Sequence, residues 1–199
     1  MTNIGRYVLT AVLIAILTGC SVSSINRNAE TVVPEVLKFG PMAPNPFGNN
    51  VTLSQTITGT FGEKERSLRF EVELRSDRLV MLALTHIGVP VFSIEYDGKD
   101  AQIQHFVSAA DQIDPYWILN DFLLVYWPET ELSKALVSTG YKLEVGQKER
   151  AMLDGSGHIA VMVTYLTPHM LGSDVNLDNY QLHYSLKVRT HKISQEAAK

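Results

Sequence analysis

Residues 67–75 read SLRFEVELR, and this stretch decides the fold class. Phe70, Val72 and Leu74 face one way, and charged residues occupy the positions between them. A period of two is that of a β-strand with one buried and one solvated face. The stretch therefore predicts an antiparallel sheet with one charged face, whose other face needs a cover.

Strands with this alternation, or apolar throughout, are predicted along the chain after residues 67–75. Short turns such as Asp97-Gly98 join neighbouring strands, which is typical of a meander. Residues 171–179 (LGSDVNLDN) are interpreted as a polar loop. The other predicted strands cover residues 79–85, 91–96, 101–106, 141–145, 150–153, 158–166 and 180–189.

Two helices interrupt the strands. Residues 115–127 (PYWILNDFLLVYW) have apolar side chains near helical spacing, with Asp114 as a plausible N-cap. Pro128 ends this helix, and residues 129–138 predict a second one that stops at Gly140.

The helix pair is short for the area that it has to cover. An open, curved sheet whose inner face is incompletely filled would leave a lipid pocket. Alternatively, the sheet closes on itself and fills with its own side chains, and the sequence leaves both possibilities open. The side chains that would fill it are Phe70, Met81, Leu84, Phe92, Val161 and Tyr184.

Residues 1–19 have the layout of a secretory signal peptide, with Arg6 before an apolar core and small residues at the end. The apolar run of about 11 residues is shorter than the roughly 20 that a spanning helix needs. Cys20, the chain's one cysteine, has no intramolecular disulfide partner. Leu17-Thr18-Gly19-Cys20 resembles the lipobox of bacterial lipoproteins, and the alternative is an unmodified cysteine.

The lipobox resemblance implies cleavage before Cys20 and acylation of both its thiol and its new amine. Two or more acyl chains give stable membrane anchoring. Ser21 follows the cysteine, which by resemblance to enterobacterial sorting favours the outer membrane. The formal net charge is -4 and no run of Lys or Arg follows the anchor, so nucleic acid is not an expected partner.

Four segments follow from these patterns. Residues 1–19 form the signal peptide, and residues 20–50 a proline-rich tether that is partly docked on the domain. Residues 51–190 form the sheet domain, and residues 191–199 a polar C-terminal tail.

Several motifs of the domain resemble a known family. LALTHIG at residues 82–88, Trp127-Pro128 and YKLE at 141–144 resemble parts of LolB, the outer-membrane lipoprotein receptor. ITGTFG at 57–62 and GVPVFSIEYDG at 88–98 resemble more closely the LolB-like lipoproteins that are often encoded with aryl-polyene and fatty-acid-type synthesis genes.

The resemblance implies a mainly β (α+β) fold of the LolA/LolB type. It would be an open antiparallel half-barrel of about eleven strands, with the helix pair covering a concave face that handles acyl chains. It also implies a lipid or acyl chain as ligand, a periplasmic LolA-like carrier as partner, and Ile87 at the tip of a membrane-facing loop.

Aromatic residues cluster between residues 116 and 127. They either pack the first helix on the sheet or line an acyl or polyene pocket. On the second interpretation, the ligand-binding residues are Phe70, Met81, Leu84, Phe92, Trp117, Phe122, Tyr126 and Trp127.

No catalytic, metal or cofactor site is predicted. The sequence has no G-x-S-x-G motif, and Ser156 in DGSGH is typical of a hairpin turn. The six histidines lack zinc-site spacing. Asp111 and Asp114 could form a carboxylate pair, but helix capping explains Asp114 more simply. Asp174 and Asp178 fit a solvated loop.

Three functions remain in competition. The first is a non-enzymatic lipid-binding lipoprotein at the periplasmic face of the outer membrane. The second is a structural accessory lipoprotein that scaffolds envelope proteins without binding lipid. The third, a hydrolase, has no nucleophile and base that the sequence can name.

Overall fold

The computed structural model describes residues 39–107, 114–167 and 171–197. The predicted signal peptide and Cys20 lie outside the described residues, as do the tether up to residue 38 and Asp111. All that follows concerns the described ranges.

Within these ranges the chain forms ten strands and two helices. In chain order these are β1 (Asn50–Phe61), β2 (Lys64–Leu74), β3 (Leu79–Leu84), β4 (Pro90–Tyr96), β5 (Ala101–His105), α1 (Pro115–Tyr126), α2 (Glu129–Leu136), β6 (Lys142–Val145), β7 (Glu149–Leu153), β8 (Ile159–Tyr165), β9 (Val175–Asn179) and β10 (Tyr184–Glu196).

All ten strands belong to one antiparallel sheet with the order β5-β4-β3-β2-β1-β10-β9-β8-β7-β6. The first and last strands of the chain pair at its centre, from Asn50 opposite Glu196 to Phe61 opposite Tyr184. The edge strands β5 and β6 do not pair with each other, so the sheet is open. The predicted open antiparallel sheet with a helix pair is confirmed, with ten strands described where about eleven were expected.

The sheet curls around α1. The Tyr116 hydroxyl donates a hydrogen bond to the Ala101 carbonyl on β5 at 3.2 Å, and Arg150 on β7 donates to the Leu124 carbonyl at 3.0 Å. In a flat sheet these strands would lie about 38 Å apart, at about 4.8 Å per strand. Because α1 is only about 18 Å long, it reaches both strands only if the sheet wraps around it. The helix therefore lies on the concave face of a half-barrel.

The outer face of the sheet is charged and solvated, as predicted. Arg69 and Glu71 form a 3.2 Å ion pair on β2 with both side chains nearly half exposed. The Ser54 hydroxyl on β1 donates to the same glutamate at 3.0 Å. Exposed ion pairs of this kind add little stability. The sheet is held to the helices by the burial of its inner face.

Helix α1 begins and ends close to its predicted bounds. The Asp114 carboxylate accepts a hydrogen bond from the Tyr116 N–H at 2.9 Å, which confirms the N-cap. From Ile118 to Tyr126 all but one residue of α1 are buried. A helix that is apolar on every side requires cover on every side, and the curled sheet supplies only part of it.

Residues 39–47, hereafter the strap, supply further cover. The Gly40 N–H donates to the Ala135 carbonyl on α2 at 3.1 Å, and the Met42 N–H donates to the Gly98 carbonyl at 2.8 Å. The Trp127 indole N–H donates to the Ala43 carbonyl at 2.9 Å. The end of the predicted tether is therefore packed on the domain.

Two segments differ from their predictions. Residues 171–179, predicted as a polar loop, contain β9, whose buried Val175, Leu177 and Asn179 alternate with more exposed positions. The final strand begins at Tyr184 and continues to Glu196, so residues 191–196 belong to the sheet and not to a tail. Strand β9 was missed because polar side chains fill its outward positions and hide the alternation. Residues 191–196 have no buried position and therefore no alternation to detect.

Candidate functional site beneath helix α1

Three small cavities between α1 and the sheet share lining residues, and a fourth of about 50 Å³ lies at Tyr96 and Leu119. The polar cavity (about 40 Å³) lies at Asp121 and Asn179, the middle cavity (about 10 Å³) at Asp121 and Ile118, and the apolar cavity (about 30 Å³) at Ile118 and Phe70. Asp121 borders the first two and Ile118 the last two, so neighbouring cavities share walls. The three therefore form a row of separate cavities along the underside of the helix.

The polar cavity contains a buried carboxyl group. Asp121 is 7% exposed, and its Oδ2 accepts a hydrogen bond from the Tyr184 hydroxyl at 2.6 Å. Asn179 donates from its side-chain amide to the same hydroxyl at 3.2 Å. Burial disfavours the charged carboxylate and raises the pKa of Asp121 to about 7. Burial, and next the Asp121 charge, raise the pKa of Tyr184.

Trp117 closes one side of the polar cavity. Its ring stacks on Tyr184 with centroids 6.1 Å apart and an interplanar angle of 12°. The indole N–H is buried and has no hydrogen-bond partner among the described residues. A buried donor without a partner is unfavourable, and a ligand atom that reached this N–H would satisfy it.

The C-terminal end of α1 is held by polar groups of the sheet. Arg150, 1% exposed, donates to the carbonyls of Leu124 at 3.0 Å and Trp127 at 2.6 Å. The Tyr165 hydroxyl donates to the Val125 carbonyl at 2.5 Å. These are the carbonyls that a helix end leaves without intrahelical partners, and a cation there also favours the helix dipole. This end of the helix is therefore fixed.

A second network joins the last turn of α1 to the strands. The Gln55 side-chain amide donates to the Tyr126 hydroxyl at 2.7 Å, and that hydroxyl donates to the Ser173 carbonyl at 3.0 Å. Burial raises the pKa of Tyr126 to about 12. Several contacts to polar groups of the sheet thus lie in the last turn, and Tyr116 and Asp121 add one each from the first and middle turns.

The predicted ligand-binding residues divide into two groups. Trp117 borders the polar cavity, Phe122 and Tyr126 the middle cavity, and Phe70 the apolar cavity. Met81, Phe92 and Trp127 are fully buried in the packed core. Trp127 lies between Phe122 and Phe47, each with ring centroids 5.8 Å away in an edge-on arrangement.

Leu84 belongs to neither group of the predicted ligand-binding residues. It is buried but lies outside the core cluster, and its cross-strand partner is Arg69 on the outer face. Met81 and Leu84 are three residues apart, which in a strand of period two points their side chains to opposite faces. The prediction that both line one pocket is wrong.

The choice between a pocket and a filled sheet is decided for this conformation. Ligand pockets are usually of about 300–1,000 Å³, far larger than any of the three cavities. The inner face is therefore largely filled with side chains, although the sheet does not close on itself.

An apolar rim lies at the end of the sheet where β3 turns into β4. Ile87 is 74% exposed in a tight turn in which the Thr85 N–H donates to the Val89 carbonyl at 2.8 Å. Val89 and Phe106 are also exposed, and the Phe106 N–H donates to the Val91 carbonyl at 2.9 Å. Ile87, Val89 and Phe106, hereafter the exposed rim, thus share one end of the sheet.

Sequence reasoning missed Asp121, Arg150 and the polar role of Tyr184. Asp121 carried a signal, because a single acidic residue stood inside an otherwise apolar helix. Arg150 carried none, since an arginine in a short strand predicts a solvated position.

Among the residues that the structure describes, the remaining chemistry-bearing side chains form no further centre. As predicted, Ser156 lies in a turn, where its N–H donates to the Asp154 carboxylate at 2.8 Å. Among the described residues, no group of three or more His, Cys, Asp and Glu side chains is placed to hold a metal ion. Neither described helix has the length and apolar content to cross a membrane.

The fold and the site define an α+β domain in which one open antiparallel sheet wraps around a buried helix that carries an isolated acid. A family model described as "Protein of unknown function (DUF3261)" matches residues 52–192. The chain therefore belongs to the DUF3261 family. None of the curated proteins matches it.

Several solved structures are similar to this chain. A putative outer membrane lipoprotein-sorting protein domain from Vibrio parahaemolyticus has 8% identity and a TM-score of 0.44, covering 78% of this chain and 89% of its own. A LolA superfamily protein from Nitrosomonas europaea has 8% identity and a TM-score of 0.43, covering 76% and 88%. A DUF1329 family protein from Desulfovibrio piger has 3% identity and a TM-score of 0.38, covering 77% and 88%.

Proposed function

We propose that this chain is a non-enzymatic lipoprotein that binds an acyl or polyene lipid, or the acyl chains of a lipidated cargo. It acts at the periplasmic face of the outer membrane and is held there through acylated Cys20. A periplasmic carrier of the LolA type is the proposed donor of the cargo.

The row of three cavities beneath α1 carries this proposal. Their walls are shared, and Ile57, Ile118 and Leu186 give the middle and apolar cavities a common apolar lining. A narrow row with apolar walls matches the shape of an extended hydrocarbon chain better than that of a compact ligand.

Binding requires the row to widen, because the cavities are too small to hold an acyl chain. The last turn of α1 is fixed by Arg150 and Tyr165, whereas Trp117 and Ile118 border cavities. The proposed opening motion is a swing of the first turns of α1 away from the sheet, which breaks the Tyr116–Ala101 and Asp121–Tyr184 hydrogen bonds. Each methylene buried by the ligand contributes about 0.8 kcal/mol, which offsets the cost of separating helix and sheet.

The exposed rim supports a membrane-facing role. Ile87 projects from a hydrogen-bonded turn, and Val89 and Phe106 extend the apolar surface beside it. Residues 85–91 contain no Asp or Glu to oppose contact with a lipid surface.

The test is light-dependent capture of lipid by the full-length protein in living bacteria. Cells are fed a photoactivatable, clickable hexadecanoic acid and irradiated, and the protein is purified and digested. We expect light-dependent label on peptides from α1, β1 and β10, distinct from the light-independent label on Cys20. Label confined to Cys20 would refute lipid binding by the domain.

A pair of phenylalanine variants sharpens this test. Ile118→Phe fills the wall that the middle and apolar cavities share, at a cost of about 1–3 kcal/mol for overpacking. Val137→Phe adds a similar side chain at a position that is 83% exposed. We expect Ile118→Phe to lose most of the light-dependent label and Val137→Phe to keep it.

The filled inner face favours a second candidate, the scaffold that binds no lipid. Strands β5 and β6 each lack a neighbour on one side among the described residues, and such edges accept a strand from a partner protein. Crosslinking from positions in β5 and β6 tests this function. A reproducible protein partner together with no light-dependent lipid label would favour the scaffold.

A further inference from the structure

We propose that the polar cavity recognises the polar end of the lipid and selects a neutral group that both donates and accepts hydrogen bonds, in preference to a phosphate. This inference rests on the proposed acyl-binding function and names the ligand class for the same site. A primary amide, a hydroxyl and a protonated carboxylic acid all have this chemistry.

The order of the cavities sets the orientation of the ligand. The polar cavity at Asp121 and Asn179 lies at one end of the row, and the apolar cavity, whose described walls are apolar except for the exposed Arg66, lies at the other. An amphiphile in this row places its hydrocarbon chain toward β1 and β2, and its polar end between Trp117 and Tyr184.

The polar cavity offers both kinds of hydrogen-bonding partner. The Asp121 carboxyl supplies acceptor oxygens, and the Trp117 indole N–H is a buried donor without a partner among the described residues. A ligand group that donates to the carboxylate and accepts from the indole satisfies both at once. The aromatic stack of Trp117 on Tyr184 fixes the direction of the indole edge.

A phosphate is disfavoured at the same place. No Lys or Arg belongs to the described walls of the polar cavity, where the single charged group is the Asp121 carboxylate. Phosphate recognition ordinarily relies on Arg, Lys or a helix N-terminus. An anion placed beside a buried carboxylate would meet like-charge repulsion as well as the cost of its own desolvation.

The state of Asp121 is consistent with this selectivity. Because burial raises the pKa of Asp121 to about 7, the carboxylate and the protonated acid are both populated near neutral pH. The first accepts from a ligand and the second also donates to it. Both forms suit a neutral ligand group better than an anion.

The experiment is a competition assay on the full-length protein with a fluorescent hexadecanoyl probe. Hexadecanamide, hexadecanol and hexadecyl phosphate share one chain length and compete below their aggregation concentrations. We expect the amide and the alcohol to displace the probe at concentrations at least tenfold lower than the phosphate. Equal potency of all three would overturn the inference while leaving acyl binding intact. Failure of the probe itself to bind would remove the proposed function as well.

Substitutions in the polar cavity test which side chains determine the preference for the amide over the phosphate. Asp121→Leu removes the carboxyl group, and Trp117→Phe removes the donor while keeping an aromatic ring. Asp178→Leu makes the same acid-to-leucine change on the opposite face of β9 and is the matched control. We expect the preference for the amide over the phosphate to fall at least fivefold in the first two and to persist in the control. A preference unchanged in both Asp121→Leu and Trp117→Phe would overturn the assignment to this cavity.

Discussion

The Tyr184 hydroxyl donates a 2.6 Å hydrogen bond to the Asp121 carboxylate, and this contact joins the middle of α1 to the start of β10. It is the principal support of a buried acid, since no cation lines the polar cavity within the described ranges. An acid buried without a compensating charge costs stability when ionised. A buried acid with a raised pKa beside a cavity is typical of a functional site.

The first prediction concerns pH. The Asp121 carboxyl titrates near 3.8 when unfolded and at about 7 when folded, so the folded protein binds the extra proton between these values. The stabilisation of the folded protein by this proton is complete below about pH 4 and is lost as the pH rises to about 7. If the full pKa shift of Asp121, from 3.8 to about 7, applies, the free energy of unfolding falls by about 4 kcal/mol across this window.

Asp121→Asn removes this dependence because an amide does not titrate. We expect the variant to have a flatter profile from pH 4 to 7 and to be more stable than the native protein at neutral pH. Urea unfolding from pH 4 to 7 measures both the pH profile and the stability at neutral pH. Identical pH slopes for the two proteins would contradict the assignment of the raised pKa to Asp121.

The second prediction concerns the fixed end of α1. Arg150→Met keeps the volume but leaves the Leu124 and Trp127 carbonyls without their donor. We expect a loss of about 3 kcal/mol in the free energy of unfolding and faster amide exchange in the last turn of α1. Arg75→Met is the control, since it removes a half-exposed ion pair with Glu73 and should cost less than about 1 kcal/mol. Similar costs for both would show that Arg150 does not hold the helix.

The third prediction concerns the exposed rim. Ile87→Asp should leave stability within about 0.5 kcal/mol, because the side chain is largely exposed. The same change should reduce flotation of unacylated protein, residues 21–199, with phospholipid vesicles. Val137→Asp alters an equally exposed apolar residue away from the rim and should float as the native protein does. Equal losses for the two variants would mean that flotation reports general hydrophobicity.

The fourth prediction concerns the strap. Gly98 has φ +99°, and a Cβ there would lie 2.7 Å from the Met42 carbonyl oxygen. Gly48 has φ +79° with open space around it, so Gly48→Ala measures backbone strain alone. We expect Gly98→Ala to cost at least about 1 kcal/mol more than Gly48→Ala and to speed exchange of the Met42 amide. Equal costs would mean that the strap contributes little to stability.

Local patterns in the sequence predicted much of the architecture. Strands β2 to β5 and β7 to β8 are confirmed with ends within three residues, because their inward positions are strongly apolar. The helices were predicted from Asp114, Pro115 and Pro128, which act through their own backbone neighbours. Strand β9 was missed because its five residues include three polar ones.

The candidate site was predicted only in part. Phe70, Trp117, Phe122 and Tyr126, four of the predicted ligand-binding residues, border the cavities. The same reasoning included Met81, Phe92 and Trp127, because burial in a core and exposure to a cavity select the same residue types. Composition alone cannot separate a packed side chain from one that borders a cavity.

The sequence by itself determined the periodicity of most strands, the capped ends of α1, and the charged character of one face of the sheet. Only the tertiary structure decided that Phe61 pairs with Tyr184 at the centre of the sheet, that the sheet curls around α1, and that Asp121 and Arg150 contact their distant partners. The physical reason is the range of the interactions. Periodicity and capping act within a few residues, whereas strand order, curvature and the pairing of buried polar groups depend on contacts between segments far apart in the chain.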